Sequence, residues 1–158
     1  MNINIVTYYY GNNYGALLQS LYLRNFINNN FKLSDVDYLS YQPKKLIIRE
    51  ELYPMIKRNP KKFFDGLIRF YKLRKWKKKY IKKFPNYEKS LTYKNKQNVS
   101  VYGSDEIWNF SNPFFGFDNF FFGSRDYGMK VSYAASFGNA NVSNINSRTH
   151  SEIKSLLT

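Results

Sequence analysis

The chain has 158 residues, no cysteine and a formal charge of +14, with 43% hydrophobic and 20% aromatic residues. Such a composition belongs to one folding domain with a core of its own and not to a disordered tail. It excludes disulfides and thiolate metal sites, and no apolar run nears the roughly 18 residues of a membrane span.

The lack of cysteine fits a reducing cytoplasm. The amino terminus, Met1-Asn2-Ile3-Asn4, has no basic n-region and no small-residue cleavage site, so a signal peptide is not expected. The charge is unevenly spread. Residues 54–84 hold thirteen of the 25 Lys/Arg and one of the 11 acids, Asp65, which leaves twelve bases and ten acids elsewhere. Asn, Lys, Ile and Tyr are abundant together, the bias of a genome poor in G and C, which raises Lys without a functional demand.

Asn2 to Tyr10 alternates and then turns continuously apolar or aromatic, a buried first strand. A polar turn follows, Gly11-Asn12-Asn13-Tyr14-Gly15. From Ala16 the residues Leu17, Leu18, Leu21, Tyr22, Phe26 and Ile27 recur at helical spacing, and Asn28 to Asn30 ends the helix. Asp35 to Tyr41 reads as a second strand, closed by Gln42-Pro43. This β–loop–α–β opening predicts parallel strands and a right-handed crossover.

Residues 54–84 are helical by pattern, with Phe63, Phe64, Leu67, Phe70, Tyr71, Leu73, Trp76, Tyr80 and Phe84 as a drifting apolar stripe between lysines. Pro60 and Pro85 bracket the main helix. A polar stretch from Asn86 to Asn98 leads to a third strand, Val99 to Tyr102. Asn112 to Gly123 is aromatic and turn-rich, and Lys130 to Ser136 is a fourth strand ending in Phe137-Gly138. Ser147 to Thr158 begins an amphipathic helix with Ile153, Leu156 and Leu157 apolar. With no cap, glycine or proline after that Leu-Leu pair, the chain is expected to be the front part of a longer polypeptide.

Three segments carry candidate chemistry. Asn12, Asn13, Tyr14 and Gly15 sit where Rossmann-like folds hold a ligand loop at a helix N-terminus, although Asn as an N-cap and Gly in a turn are also plain structure. Gln19, one turn on, faces the same crevice or solvent. Gly103-Ser104-Asp105-Glu106-Ile107-Trp108 breaks a strand at the carboxyl edge, where open α/β sheets bind ligands. There Asp105 either receives a ligand's hydroxyls or caps a helix, and Trp108 either stacks on a ring or fills the core. Ser132 to Gly138 ends a strand in small residues, Ser136 among them, which admit a phosphate or sugar or else tight packing. His150 reads as a surface histidine, and nothing favours a metal.

In order, Asn13-Tyr14-Gly15-Ala16-Leu17-Leu18-Gln19, Gly103-Ser104-Asp105-Glu106-Ile107-Trp108-Asn109 and Ser132-Tyr133-Ala134-Ala135-Ser136-Phe137-Gly138 resemble the amino-terminal half of the polysaccharide pyruvyl transferase family. The family pattern looks like Asn-Tyr-Gly-Ala-x-Leu-Gln, Gly-Ser-Asp-Gln-x-Trp-Asn and Ser-Tyr-Ala-Ser/Ala-Ser-Phe-Gly. Glu106 departs from it, standing where Gln is usual.

The resemblance implies an α/β, Rossmann-like parallel sheet flanked by helices, the N-terminal lobe of a two-lobed, glycosyltransferase-B-like bacterial enzyme over residues 1–158. Such an enzyme moves the enolpyruvyl unit of phosphoenolpyruvate onto a sugar of a cell-surface glycan or its lipid-linked precursor. Phosphoenolpyruvate is a donor substrate and no cofactor is implied. Its Arg and His ligands belong largely to a C-terminal lobe absent from this chain, so these residues are expected to be inactive alone.

On that reading Asp105 accepts from sugar hydroxyls or acts as base. Asn12, Asn13, Tyr14, Gly15, Gln19, Gly103, Ser104, Trp108, Asn109 and Ser136 line the acceptor side, with Trp108 stacking on the sugar. The place is the cytoplasm, peripheral to the inner face of the membrane. The alternative is a non-catalytic module whose basic helix, with Lys77, Lys78 and Lys79, docks on anionic membrane or nucleic acid. The absence of a recognisable nucleic-acid module disfavours the latter.

Overall fold

The computed structural model describes residues 2–9, 13–31, 35–39, 41, 43, 60–80, 99–112, 116–124 and 128–157. The elements are β1 (Asn2–Val6), α1 (Tyr14–Asn30), β2 (Asp35–Tyr38), α2 (Pro60–Tyr80), β3 (Val99–Gly103), β4 (Met129–Tyr133) and α3 (Ser147–Leu157). Short 3-10 turns stand at Asn119–Phe122 and Val142–Asn144. The four strands form one parallel sheet in the order β2-β1-β3-β4. The chain is therefore an α/β protein, as its sequence leads one to expect.

Register explains how the sheet is covered. One row crosses it as Tyr38–Ile5–Val101–Val131 and another as Val36–Ile3–Val99–Met129, and residues in a row share a face. On that face Leu23 and Ile27 of α1 pack over Ile3, Ile5, Val36 and Tyr38. The cover runs out at the edge: Ile5 is 0% exposed, whereas Val131 is 44% and Met129 65% exposed. The other face is filled by Val6, Tyr102 and Ile107, the three phenylalanines Phe120 to Phe122, and Ile153 of α3.

Several elements are shorter or more divided than their patterns imply. β1 stops at Val6 because Thr7 bends the chain, and the Tyr9 N–H closes a tight turn on the Thr7 carbonyl at 3.1 Å. Tyr8 then enters the phenylalanine core while Tyr9 stacks on Tyr38 at 4.8 Å. In α1 the apolar residues split into two stripes, with Leu17, Leu23 and Ile27 buried and Leu18, Tyr22 and Phe26 exposed. α2 splits likewise. Leu73 is buried and packs with Trp76 on Leu17 and Leu21 of α1, while Phe64 and Tyr71 face outward. Pro60 opens α2, where its missing N–H costs nothing. Tyr10, Gln42, residues 54–59 and 81–98, Phe114, Phe115 and Thr158 lie outside the described residues.

Gly103 is the position that cannot change. Its φ of +151° disfavours any side chain, and a Cβ there would overlap the Tyr133 carbonyl of the neighbouring strand. Gly15 is different, since a Cβ would meet only the Asn13 side chain at 3.2 Å. Gly103→Ala is expected to cost about 3 kcal/mol or more in urea unfolding, and Gly15→Ala less than about 1 kcal/mol. Equal losses at the two sites would show that the close approach of β3 and β4 is not rigid.

Candidate functional site

The chain runs from β1 to β2 on one side of the sheet's centre and from β3 to β4 on the other. Ligands of open α/β sheets bind outside the carboxyl ends of the strands at such a reversal. Val6 of β1 pairs with Tyr102 of β3, so Thr7 and Ser104, each just past its strand, emerge at the same edge. Both bury a hydroxyl that has no hydrogen-bond partner among the described residues. Ser100 and Ser124 bury hydroxyls in the same way, so the orphaned hydroxyls do not by themselves mark this edge.

Beyond the strands, β3 and β4 remain joined by backbone bonds. The Ser104 N–H donates to the Tyr133 carbonyl at 2.8 Å, Ser136 to Asp105 at 3.1 Å, and Trp108 to Ser136 at 3.1 Å. The joint holds two non-glycine residues in left-handed conformations, Ser104 at φ 61° and Ala134 at φ 50°. Such backbone costs of order 1 kcal/mol per residue and persists where its surroundings over-determine it.

Next to this joint lies an open groove of about 650 Å3, in the size range of small-molecule sites. Gln19, Ser104, Asp105 and Ser136, singled out from three separate stretches of sequence, all line it. Its apolar wall is Tyr133 of β4 with Tyr22, Leu23 and Phe26 of α1, and the three α1 residues lie outside every candidate motif of the sequence. In the sequence Tyr22 and Phe26 recur at helical spacing together with Leu17, Leu18, Leu21 and Ile27. Their period alone does not tell a core stripe from a groove wall.

The remaining candidates sit elsewhere or hold the scaffold. Trp108 turns away from the groove into the aromatic cluster, stacking with Phe122 at 6.2 Å, and its indole N–H donates to the Phe121 carbonyl at 2.9 Å. It borders a second recess of about 290 Å3 on the opposite face, beside Phe122 and Lys130. Asn109 is buried, its amide donating to the Glu106 carboxylate at 2.9 Å and to Asn139 at 3.1 Å. Gly103 provides the close approach described above. Asn13 caps α1, accepting the Gly15 N–H at 2.9 Å, and Tyr14 sets its ring edge-on to Trp76 of α2 at 6.4 Å. Asn12 lies outside the described residues. His150 is exposed on α3, and among the described residues no acidic or histidine cluster is built to hold a metal ion.

Within a strongly basic chain this corner is acidic. Burial raises the Asp105 carboxyl above its ordinary value of 3.8; the Glu106 N–H, donated at 2.8 Å, opposes the rise, and the Glu106 charge adds to it. Tyr8, buried behind it, is held far above a normal phenol by burial and by the charges of Asp105, Asp118 and Glu106. Asp118 accepts the Tyr41 hydroxyl at 2.7 Å and caps the turn at Phe120. Asp105 is thus a carboxylate with strengthened basicity at the mouth of a groove, the property a general base needs.

A raised pKa means that the folded chain holds the Asp105 proton more tightly than the unfolded one. Its contribution to stability is therefore full below pH 3.8 and lost as pH rises through the higher folded value. Asp105→Asn, which keeps an acceptor for the Glu106 N–H, is expected to raise Tm at pH 7 and to lose that advantage near pH 3. A lower Tm at pH 7 would make Asp105 a structural cap. Compared with protein-family models, with curated proteins and with solved structures, the chain matches none.

Proposed function

We propose that the groove seats a sugar of a glycan or lipid-linked acceptor, and that the chain is the N-terminal, acceptor-side lobe of a polysaccharide pyruvyl transferase-like enzyme. The observation that carries this reading is the convergence of Gln19, Ser104, Asp105 and Ser136 on one groove. An amide, the Ser136 hydroxyl and a carboxylate match the hydroxyl rim of a hexose. Tyr22 and Tyr133 offer aromatic faces for its apolar side.

The electrostatics favour acceptor over donor. The groove is bordered by Asp105 and Glu106, with no Lys or Arg among its described lining residues. Phosphoenolpyruvate, with a phosphate and a carboxylate, needs cations, and in this proposal those stand on the other lobe of the glycosyltransferase-B-like pair. In the reaction the acceptor hydroxyl gives its proton to Asp105 as its oxygen bonds to the central enolpyruvyl carbon. The methylene carbon takes a proton from an acid across the cleft, and phosphate leaves with the electrons of the broken C–O bond. A second acceptor hydroxyl bonds to the carbon that phosphate has left, giving its proton to the departing phosphate, and closes the cyclic ketal. A base whose carboxyl is raised above its ordinary value by burial suits the first step.

Glu106, which replaces the family's usual Gln, accepts the Asn109 amide as a Gln carbonyl would. Its added charge lies beside Asp105 and raises it further. Glu106 therefore tunes the base and leaves the scaffold as it is.

The test is saturation-transfer NMR against a panel of hexose-bearing envelope glycans and lipid-linked sugar intermediates. We expect one acceptor to bind, and Asp105→Ala and Gln19→Ala each to weaken it by roughly tenfold, the worth of one or two hydrogen bonds. No ligand across the panel, or Asp105→Ala binding like the native chain, would overturn the assignment. A binding module without chemistry predicts the opposite pattern, in which groove variants are silent and all binding follows the basic helix.

A further inference from the structure

The outward face of α2 has no counterpart in the groove and is unusual for an exposed helix. Phe64, Ile68 and Tyr71 are 62%, 54% and 70% exposed, and their spacing of i, i+4 and i+7 places them on one stripe. Lys72, Lys75 and Lys78 continue that face toward the C-terminal end and are all exposed. The opposite side of α2 is already engaged, Leu73 and Trp76 being packed on Leu17 and Leu21 of α1. Among the described residues nothing covers the apolar stripe. Three large apolar groups held in water beside a row of cations are costly unless something covers them.

We propose that this face of α2 docks the protein peripherally on an anionic phospholipid bilayer. The stripe enters the headgroup boundary and the lysines meet the lipid phosphates. Charge complementarity decides the occupant, since residues 54–84 carry thirteen bases against the single acid Asp65. A nucleic-acid backbone would satisfy the lysines but leave Ile68 in water, and an aliphatic side chain offers no stacking face for a base. No helix among the described residues is long and apolar enough to cross a membrane. α2 rests on the first turns of α1, the end that leaves the carboxyl edge of the sheet.

Cosedimentation of the full chain with vesicles tests this, using phosphatidylglycerol mixed equally with phosphatidylcholine against phosphatidylcholine alone. Binding is expected only to the anionic vesicles. Combined Phe64→Ser, Ile68→Ser and Tyr71→Ser should weaken it on the order of 100-fold at unchanged charge. Combined Lys72→Gln, Lys75→Gln and Lys78→Gln should weaken it to a similar degree, on the order of 100-fold. All six side chains are exposed, so circular dichroism should be unchanged. Because the chain contains no cysteine, Ile68→Cys carries a single environment-sensitive fluorophore, and its emission should shift to the blue on anionic vesicles. A label at exposed Asn144→Cys should not shift. Full vesicle affinity in the apolar variant, an unshifted Ile68 label, or tighter binding to a short DNA duplex than to vesicles would each overturn the proposal. None of these readouts depends on what the groove binds.

Discussion

β3 and β4 approach so closely at Gly103 that one strand's α-carbon lies against the other's carbonyl, and the carboxyl edge is built on that contact. It lets Ser104 donate to Tyr133, which starts the run of backbone bonds through Asp105, Ser136 and Trp108. A methyl group would separate the strands where the site begins. Everything at the groove's mouth depends on it: the direction of Asp105, the turn made by Ser136 and Gly138, and the placement of Trp108 in the core. Gly138 repeats the constraint on a smaller scale, because a Cβ there would collide with the Glu106 carboxylate.

Charge is sorted along the molecule. The bases crowd α2 and its sequence neighbourhood, while Asp105, Glu106 and Asp118 surround Tyr8 at the carboxyl edge. The separation gives α2 a basic face and the carboxyl edge a compact acidic corner. Net charge describes neither.

Much of this arrangement is legible in the sequence. The alternation of Asn2 to Val6, the helical period after Ala16 and the glycine break at 103 fix a parallel α/β order, since short runs of that kind have few ways to pack. The polar half of the groove is legible too, as strand ends marked by Gly, Ser and Asp are recognisable without coordinates. The apolar half is not. Tyr22 and Phe26 share a period with Leu23 and Ile27, and only the three-dimensional arrangement shows that α1 is narrower than the sheet it covers. Trp108 has two chemically reasonable places, and the Phe121 carbonyl that its indole reaches is thirteen residues away, beyond any local pattern. The split of α2 into an anchored and an outward face is likewise a property of what Leu73 meets.

The left-handed residues at the strand ends bear on affinity. Ser104 and Ala134 hold left-handed conformations, and the backbone bonds between their loops keep either from relaxing alone. A ligand arriving there would find hydroxyl and carboxylate already in position, and would not have to immobilise a mobile rim. The entropy of ordering that rim was spent when the chain folded. Discrimination among ligands at this edge would then rest on fit to a fixed outline, with poorly matched ones leaving quickly instead of being accommodated.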